Sequence, residues 1–311
     1  MGRNHNLNLP LIEIEGFKLS FPLMWIRDDT PFLGKIAEGV VLLVPVYNTT
    51  KRCWKVWERA IERLDPAPEK VIFCENNSSD ETLDVINKCK FPHEVIRVWF
   101  KSDAAKGQPY EPIANVRQLL LTRARQLNVK MAIFLDDDCI PERKDFIQMF
   151  LNNNLDICGG TYTRDFPEGF LVASKWSVDM PIEEMPKGTI PSVRLGLEKS
   201  VKNAKERKMP MLTFAYQDFE EGKLYKCSVT SGGALALSQK LIQDRRMSFV
   251  PLRHDLTSTG EVSEDFGFCL LAGTLGYIVH LDFRIKFAHL GARSNTSIKD
   301  RPWVVDQSFS F

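Results

Sequence analysis

At 311 residues the chain can bury a substantial core, as one large domain or two small ones. With 44% hydrophobic and 26% charged residues and a formal net charge of +1, it is neither a disordered chain nor a broadly basic nucleic-acid binder, so an anionic small ligand has to be met by a local site. The N-terminal MGRNHNLNLP lacks the apolar stretch of a secretory signal, Asn6 stands where a myristoylation signal needs Ser or Thr, and apolar runs such as Val40–Val46 are too short to span a bilayer. Seven scattered cysteines without paired metal-ligand spacing point to a reducing compartment, so the expectation is a cytoplasmic enzyme with no membrane span.

Residues 1–38 hold short apolar pieces broken by prolines and charges and read as an extension packed on the core. From Gly39 the pattern becomes strand–helix alternation. Val40–Val46 is a continuous apolar run, as in a buried parallel strand. Lys51–Leu64 places Cys53, Val56 or Trp57, Ala60, Ile61 and Leu64 on one helical face. Lys70–Cys74 is a second strand, followed by a polar cluster and a helix running towards Lys88. Glu94–Phe100 reads as a third strand, Pro112–Leu127 as an amphipathic helix, and Lys130–Leu135 as a fourth strand. Such alternation predicts an α/β fold, a mostly parallel twisted sheet flanked by helices, with ligands at the carboxyl ends of the strands. Residues 181–210, with several prolines and a surplus of Lys and Arg, read as a loop; a solvated loop and a phosphate-touching lid both fit. Regular patterning returns at Lys226–Leu237, at Asp265–Gly273 (helical) and at Tyr277–Phe287 (strand-like), before a tail at 292–311.

Three features carry chemistry. Asp136, Asp137 and Asp138 follow directly on the apolar strand Met131–Leu135. Adjacent carboxylates repel one another, and a cation among them relieves this; oxygen ligands favour Mg²⁺ or Mn²⁺. An acidic turn capping a helix that starts near Glu142 is the alternative. His289 follows a strand-like stretch and is either a third ligand or a hydrogen-bonded core residue. Glu264-Asp265 opens a helix, where a carboxylate acts as a cap or takes a proton from an acceptor hydroxyl.

In order, Val41–Asn48, Phe73–Thr82, Phe134–Asp138, Ser231–Leu237, Ser263–Gly267 and Lys286–His289 resemble the motifs of family 2 glycosyltransferases and their GT-A fold relatives. The resemblance spans residues 39–291 and implies a nucleotide-sugar half (39–140) and an acceptor half (141–291). It implies that Pro45, Tyr47, Glu75 and Asn77 line a nucleoside pocket and that Asp136 and Asp137 contact the donor. Arg117 would reach the diphosphate or ribose, unless it is a surface arginine. Asp136, Asp138 and His289 would bind Mn²⁺ or Mg²⁺, and Asp265, with Glu264 beside it, would be the general base. The activity implied is hexosyl transfer from a UDP- or GDP-sugar to a glycan, lipid or protein hydroxyl, with inversion. Two departures stand out: Asn76-Asn77 lacks the glycine common at that turn, and no Gln-x-x-Arg-Trp motif of processive synthases is present. A sugar-phosphate nucleotidyltransferase and a non-catalytic sugar-nucleotide binder on the same fold are the competing readings, although Tyr47-Asn48-Thr49-Thr50 stands where a nucleotidyltransferase needs a glycine-rich basic loop.

Overall fold

The computed structural model describes residues 12–14, 17–19, 25–26, 34–51, 53–100, 111–162, 170–176, 211–215, 222–227, 229–249, 252–253 and 261–289. The 181–210 loop, the 292–311 tail and most of the 1–38 extension lie outside them.

Two short strands, β1 (Ile12–Ile14) and β2 (Phe17–Leu19), pair with each other. The alternation expected from Gly39 onward follows as β3 (Ile36–Val46), α1 (Trp54–Ile61), β4 (Ala67–Asn76), α2 (Thr82–Ile86), β5 (His93–Val98), α3 (Glu111–Gln126) and β6 (Met131–Leu135). Next come β7 (Cys139–Pro141), α4 (Phe146–Asn153), β8 (Ile157–Thr161), β9 (Phe170–Trp176), β10 (Met211–Ala215), β11 (Leu224–Cys227) and β12 (Val229–Thr230). The last elements are β13 (Ala234–Ser238), α5 (Gln239–Gln243), β14 (Leu252–Arg253), β15 (Glu261–Val262), α6 (Glu264–Thr274) and β16 (Val279–His289).

Among the described residues the centre is a nine-stranded sheet in the order β11-β16-β8-β13-β6-β3-β4-β5, with β7 pairing off this path with β16. From β6 to β5 every pairing is parallel; β13 runs antiparallel between β6 and β8. Strand alternation feeds two cores. Val40, Leu42, Val44 and Val46 of β3 pack with α1 and α4, through Trp57, Ala60 and Phe150, while Val41 and Leu43 pack with α3 and α6, through Val116, Leu120 and Phe268. The helical face expected for α1 is the buried one: Cys53, Val56, Trp57, Ala60, Ile61 and Leu64 are all in the core. No helix among the described residues is long and apolar enough to cross a membrane.

The alternative weighed for the acidic triplet is not what the backbone does. The acidic triplet does not cap a helix starting near Glu142. Cys139–Pro141 instead forms a strand against Phe287–His289, and the Glu142 amide donates to the Lys286 carbonyl at 2.9 Å. The backbone after the triplet is therefore committed to the sheet, and the next helix begins only at Phe146.

Candidate active site at the strand ends

The carboxyl ends of β3, β4 and β6 lie side by side, and the polar clusters of the sequence meet there. Asn48 and Asn77 both adopt left-handed backbone, with φ of 49° and 56°. Asparagine tolerates this region, so the turn at Asn77 forms without a glycine. The two loops are fastened together: the Asn48 amide donates to Ser78 Oγ at 3.0 Å, the Ser79 amide to Asn48 Oδ1 at 2.8 Å, and the Thr49 amide to Thr82 Oγ1 at 2.8 Å. Pro45 is buried at the end of β3, and Tyr47 beyond it is 50% exposed. Glu75 is buried, and its carboxylate accepts from the Ser78 amide at 2.5 Å and from Arg97 Nε at 3.1 Å.

The aspartates diverge. In β6, Ala132 and Phe134 face the α3 core, whereas Ile133 and Leu135 face the α1 core. The same alternation sends Asp136 towards α3 and Asp137 towards the β3–α1 loop. The Asp137 carboxylate accepts from the Thr49 hydroxyl, and the side chain is 2% exposed. Backbone carbonyls of the triplet are also held from α1: Trp57 Nε1 donates to the Asp136 carbonyl at 3.1 Å and Cys53 Sγ to that of Asp137 at 3.6 Å.

Asp138 turns towards β16. Its Oδ1 stands 3.5 Å from His289 Nε2, too long for a strong hydrogen bond. The His289 ring stacks on Tyr162 with centroids 5.3 Å apart, and its Nδ1 is buried without a hydrogen-bond partner. Ligand atoms of Asp138, Cys139 and His289 all lie within 4.8 Å of one another. Carboxylate and imidazole donors of this kind fit a divalent cation such as Mn²⁺. Burial, with Asp138 adding to it, pushes the Cys139 thiol well above its ordinary value. Carboxylate and imidazole suit Mn²⁺ or Mg²⁺ better than a soft sulfur ligand does, so Asp138 and His289 are the donors that match such a cation.

On the other side of Asp136 lies a buried polar cluster. Arg117, only 3% exposed, is not the surface arginine that its sequence position allowed. Its Nη2 donates to Asp136 Oδ1 at 2.9 Å, its Nε to Glu264 Oε1 at 3.1 Å and its Nη1 to the Gly232 carbonyl at 2.9 Å. Gly232 in turn donates its amide to Asp265 Oδ2 at 2.9 Å. Asp265 Oδ1 accepts from the Phe266 amide at 2.8 Å and from the Ser263 hydroxyl. Although part of the Asp136 side chain faces solvent, desolvation pushes its carboxyl up; Arg117 pulls against this and Asp138 adds to the rise. Burial and then Asp265 push Glu264 up to about 7, against the pull of Arg117.

Two glycines let this cluster close. A β-carbon on Gly232 would stand 2.8 Å from Arg117 Cζ; one on Gly233 would stand 3.0 Å from Tyr162 Cζ and 3.1 Å from Asp136 Oδ2. The Ser231-Gly232-Gly233 segment is thus a close approach of backbone to the charged groups, as glycine permits.

No family model and no curated protein matches the sequence. Solved structures do resemble it in fold. Staphylococcus aureus TarS 1-349 in complex with UDP-GlcNAc aligns at 14% identity with a TM-score of 0.43, over 86% of this chain and 61% of that one. GalNAc-T7 with UDP, GalNAc and Mn²⁺ aligns at 10% identity with a TM-score of 0.45, over 84% of this chain and 44% of that one. Glucosyl-3-phosphoglycerate synthase from Mycobacterium tuberculosis, in complex with Mn²⁺, UDP and glucosyl-3-phosphoglycerate, aligns at 13% identity with a TM-score of 0.35, over 78% of this chain and 66% of that one. The chain therefore spans less than two thirds of the length of each, and likeness at these identities is one of fold alone.

Asp136, Asp138, His289, Glu264, Asp265 and Arg117 thus fall into one linked region, while Asp137 is directed into the α1 side. Sequence reasoning missed three members. Cys139 enters because it lies opposite His289 in the β7–β16 register, which puts both side chains on one face. Tyr162 supports His289 by stacking and bonds Ser231 through its hydroxyl. Thr49 holds Asp137. Cys139 alone had a sequence signal, its position directly after the triplet.

Proposed function

We propose that the chain transfers a single hexosyl unit from a UDP- or GDP-sugar to an acceptor hydroxyl on a glycan, lipid or protein. What supports this reading is the convergence of chemically matched groups from distant segments. Asp136 and Asp138 at the end of β6, His289 at the end of β16, and Glu264-Asp265 at the start of α6 are joined through contacts of 3.5 Å or less. Pro45, Tyr47, Glu75 and Asn77, at the ends of β3 and β4, would line the nucleoside pocket, with Arg97 and the Ser78 amide fixing the Glu75 carboxylate. Asp136 and Asp138, with His289, would hold a divalent cation, Mn²⁺ or Mg²⁺. When bound, that cation supplies positive charge where the departing nucleoside diphosphate develops negative charge. Asp137 would support the donor side from beneath, through the loop that carries Thr49.

Asp265 would take the proton of the acceptor hydroxyl as its oxygen bonds to the anomeric carbon and the bond to the diphosphate breaks. A carboxylate has about four lone-pair sites. The Gly232 and Phe266 amides and the Ser263 hydroxyl occupy three, which fixes the group and leaves one position for a substrate proton. In-line attack with a base on the acceptor side inverts the anomeric centre. The sequence features that argue for a reducing, cytoplasmic setting fit a soluble nucleotide-sugar donor. The experiment is a panel of UDP- and GDP-sugars with Mn²⁺, scored for free nucleoside diphosphate. Release from one donor supports the reading; release from none removes it.

A further inference from the structure

The geometry points to Arg117 as a positioning residue that locks the donor-side carboxylate Asp136 to the acceptor-side Glu264 and Asp265 without touching the donor. The inference rests on the glycosyl-transfer reading above and adds to it the element that sets the relation between its two halves. Three nitrogens of one guanidinium are committed: Nη2 to Asp136, Nε to Glu264 and Nη1 to the Gly232 carbonyl. The third arm extends further, because the Gly232 amide donates to Asp265 Oδ2 at 2.9 Å. One side chain from α3 therefore reaches the groups assigned to the donor and to the acceptor. Its Cζ lies 5.6 Å from the centroid of the Phe134 ring, and Gly232 comes so near that a β-carbon there would stand 2.8 Å from Cζ, so the planar fork has little freedom to turn. A group so enclosed orients its partners, and small errors in such orientation are costly to rate.

The test uses the full chain as parent, Arg117→Lys and Gly232→Ala. Lysine keeps the positive charge and loses the planar fork. Gly232→Ala leaves Arg117 in the chain and drives its guanidinium aside, at a position whose backbone is not left-handed. Calorimetry with nucleoside diphosphate at saturating Mn²⁺, which refills the cation site even where loosening Asp136 weakens it as an outer-shell change does, gives Kd, and transfer assays at the same Mn²⁺ give kcat. The expected result is a Kd within about 3-fold of the parent and a kcat lower by about 10²-fold in both variants. A Kd weakened more than about 10-fold in Arg117→Lys makes Arg117 a donor contact, and a kcat within about 3-fold makes the lock idle; either overturns the inference. If Arg117→Lys fails to fold by circular dichroism, Gly232→Ala decides on the same two numbers. A parent that binds no nucleoside diphosphate removes the glycosyl-transfer reading and this inference with it. A parent that binds and turns over, with variants unchanged, removes this inference alone.

Discussion

Arg117 and Glu264 stand 147 residues apart in sequence and meet at 3.1 Å as a buried pair. Glu264 nevertheless has its carboxyl pushed up to about 7, because burial and the neighbouring Asp265 outweigh the guanidinium. A carboxyl whose folded-state value lies above its ordinary 4.5 binds a proton more readily when folded. Its contribution to stability is full below that ordinary value and is lost as pH rises through about 7. Urea unfolding of the parent should therefore lose about 3 kcal/mol relative to Glu264→Gln between pH 4.5 and 8. Equal pH slopes for the two proteins would remove this account of Glu264.

Asp138 faces His289 at 3.5 Å, and Asp145 faces Arg143 on the surface at 2.7 Å. Asp138→Asn should weaken Mn²⁺ binding, measured by electron paramagnetic resonance, by more than about 10²-fold, since even outer-shell partners of a metal cost 10–100-fold. Asp145→Asn should leave Mn²⁺ binding unchanged and cost at most about 1 kcal/mol of stability. Equal Mn²⁺ binding by Asp138→Asn and the parent would take Asp138 out of the ligand set.

Gly233 has no room for a β-carbon between Tyr162 and Asp136. Gly233→Ala should cost about 1–3 kcal/mol in urea unfolding, the usual range for overpacking. Gly273, where a β-carbon would meet nothing within 4 Å, lies in the last turn of α6 with ordinary helical backbone. Gly273→Ala should therefore stabilise, by up to about 1 kcal/mol. A neutral Gly233→Ala would mean that the segment gives way and does not fix the cluster.

Asp265→Asn keeps the shape and removes the basicity. Donor affinity with Mn²⁺ should stay within a few-fold of the parent while the rate falls by about 10²–10⁴, the worth of a positioned base. If Asp265 only anchors the Gly232 and Phe266 amides, Asn gives up one of these contacts, the loss shows in urea unfolding, and the rate of the folded variant hardly changes.

The parallel half of the sheet was legible because β3 and β6 are continuous apolar runs, and an isolated alternation of two cores needs nothing more. The β7 strand was not, since three residues with a proline carry no periodic signal and take their form from Phe287–His289, far along the chain. Asp136, Asp138, His289, Glu264 and Asp265 could be named from local placement at strand and helix ends. The burial of Arg117 could not: it lies beside the apolar stripe of Val116 and Leu120, and its partners come from three distant segments. The divergence of Asp136 from Asp137 follows from strand parity and was there to be read once β6 was assigned.

The most direct test of the central claim is the release of nucleoside diphosphate from a nucleotide sugar with Mn²⁺, after chelation, and after restoring the cation. The account predicts turnover in the first state, none in the second and recovery in the third, because Asp136, Asp138 and a diphosphate cannot share the site without a cation. Full turnover in excess chelator would contradict it.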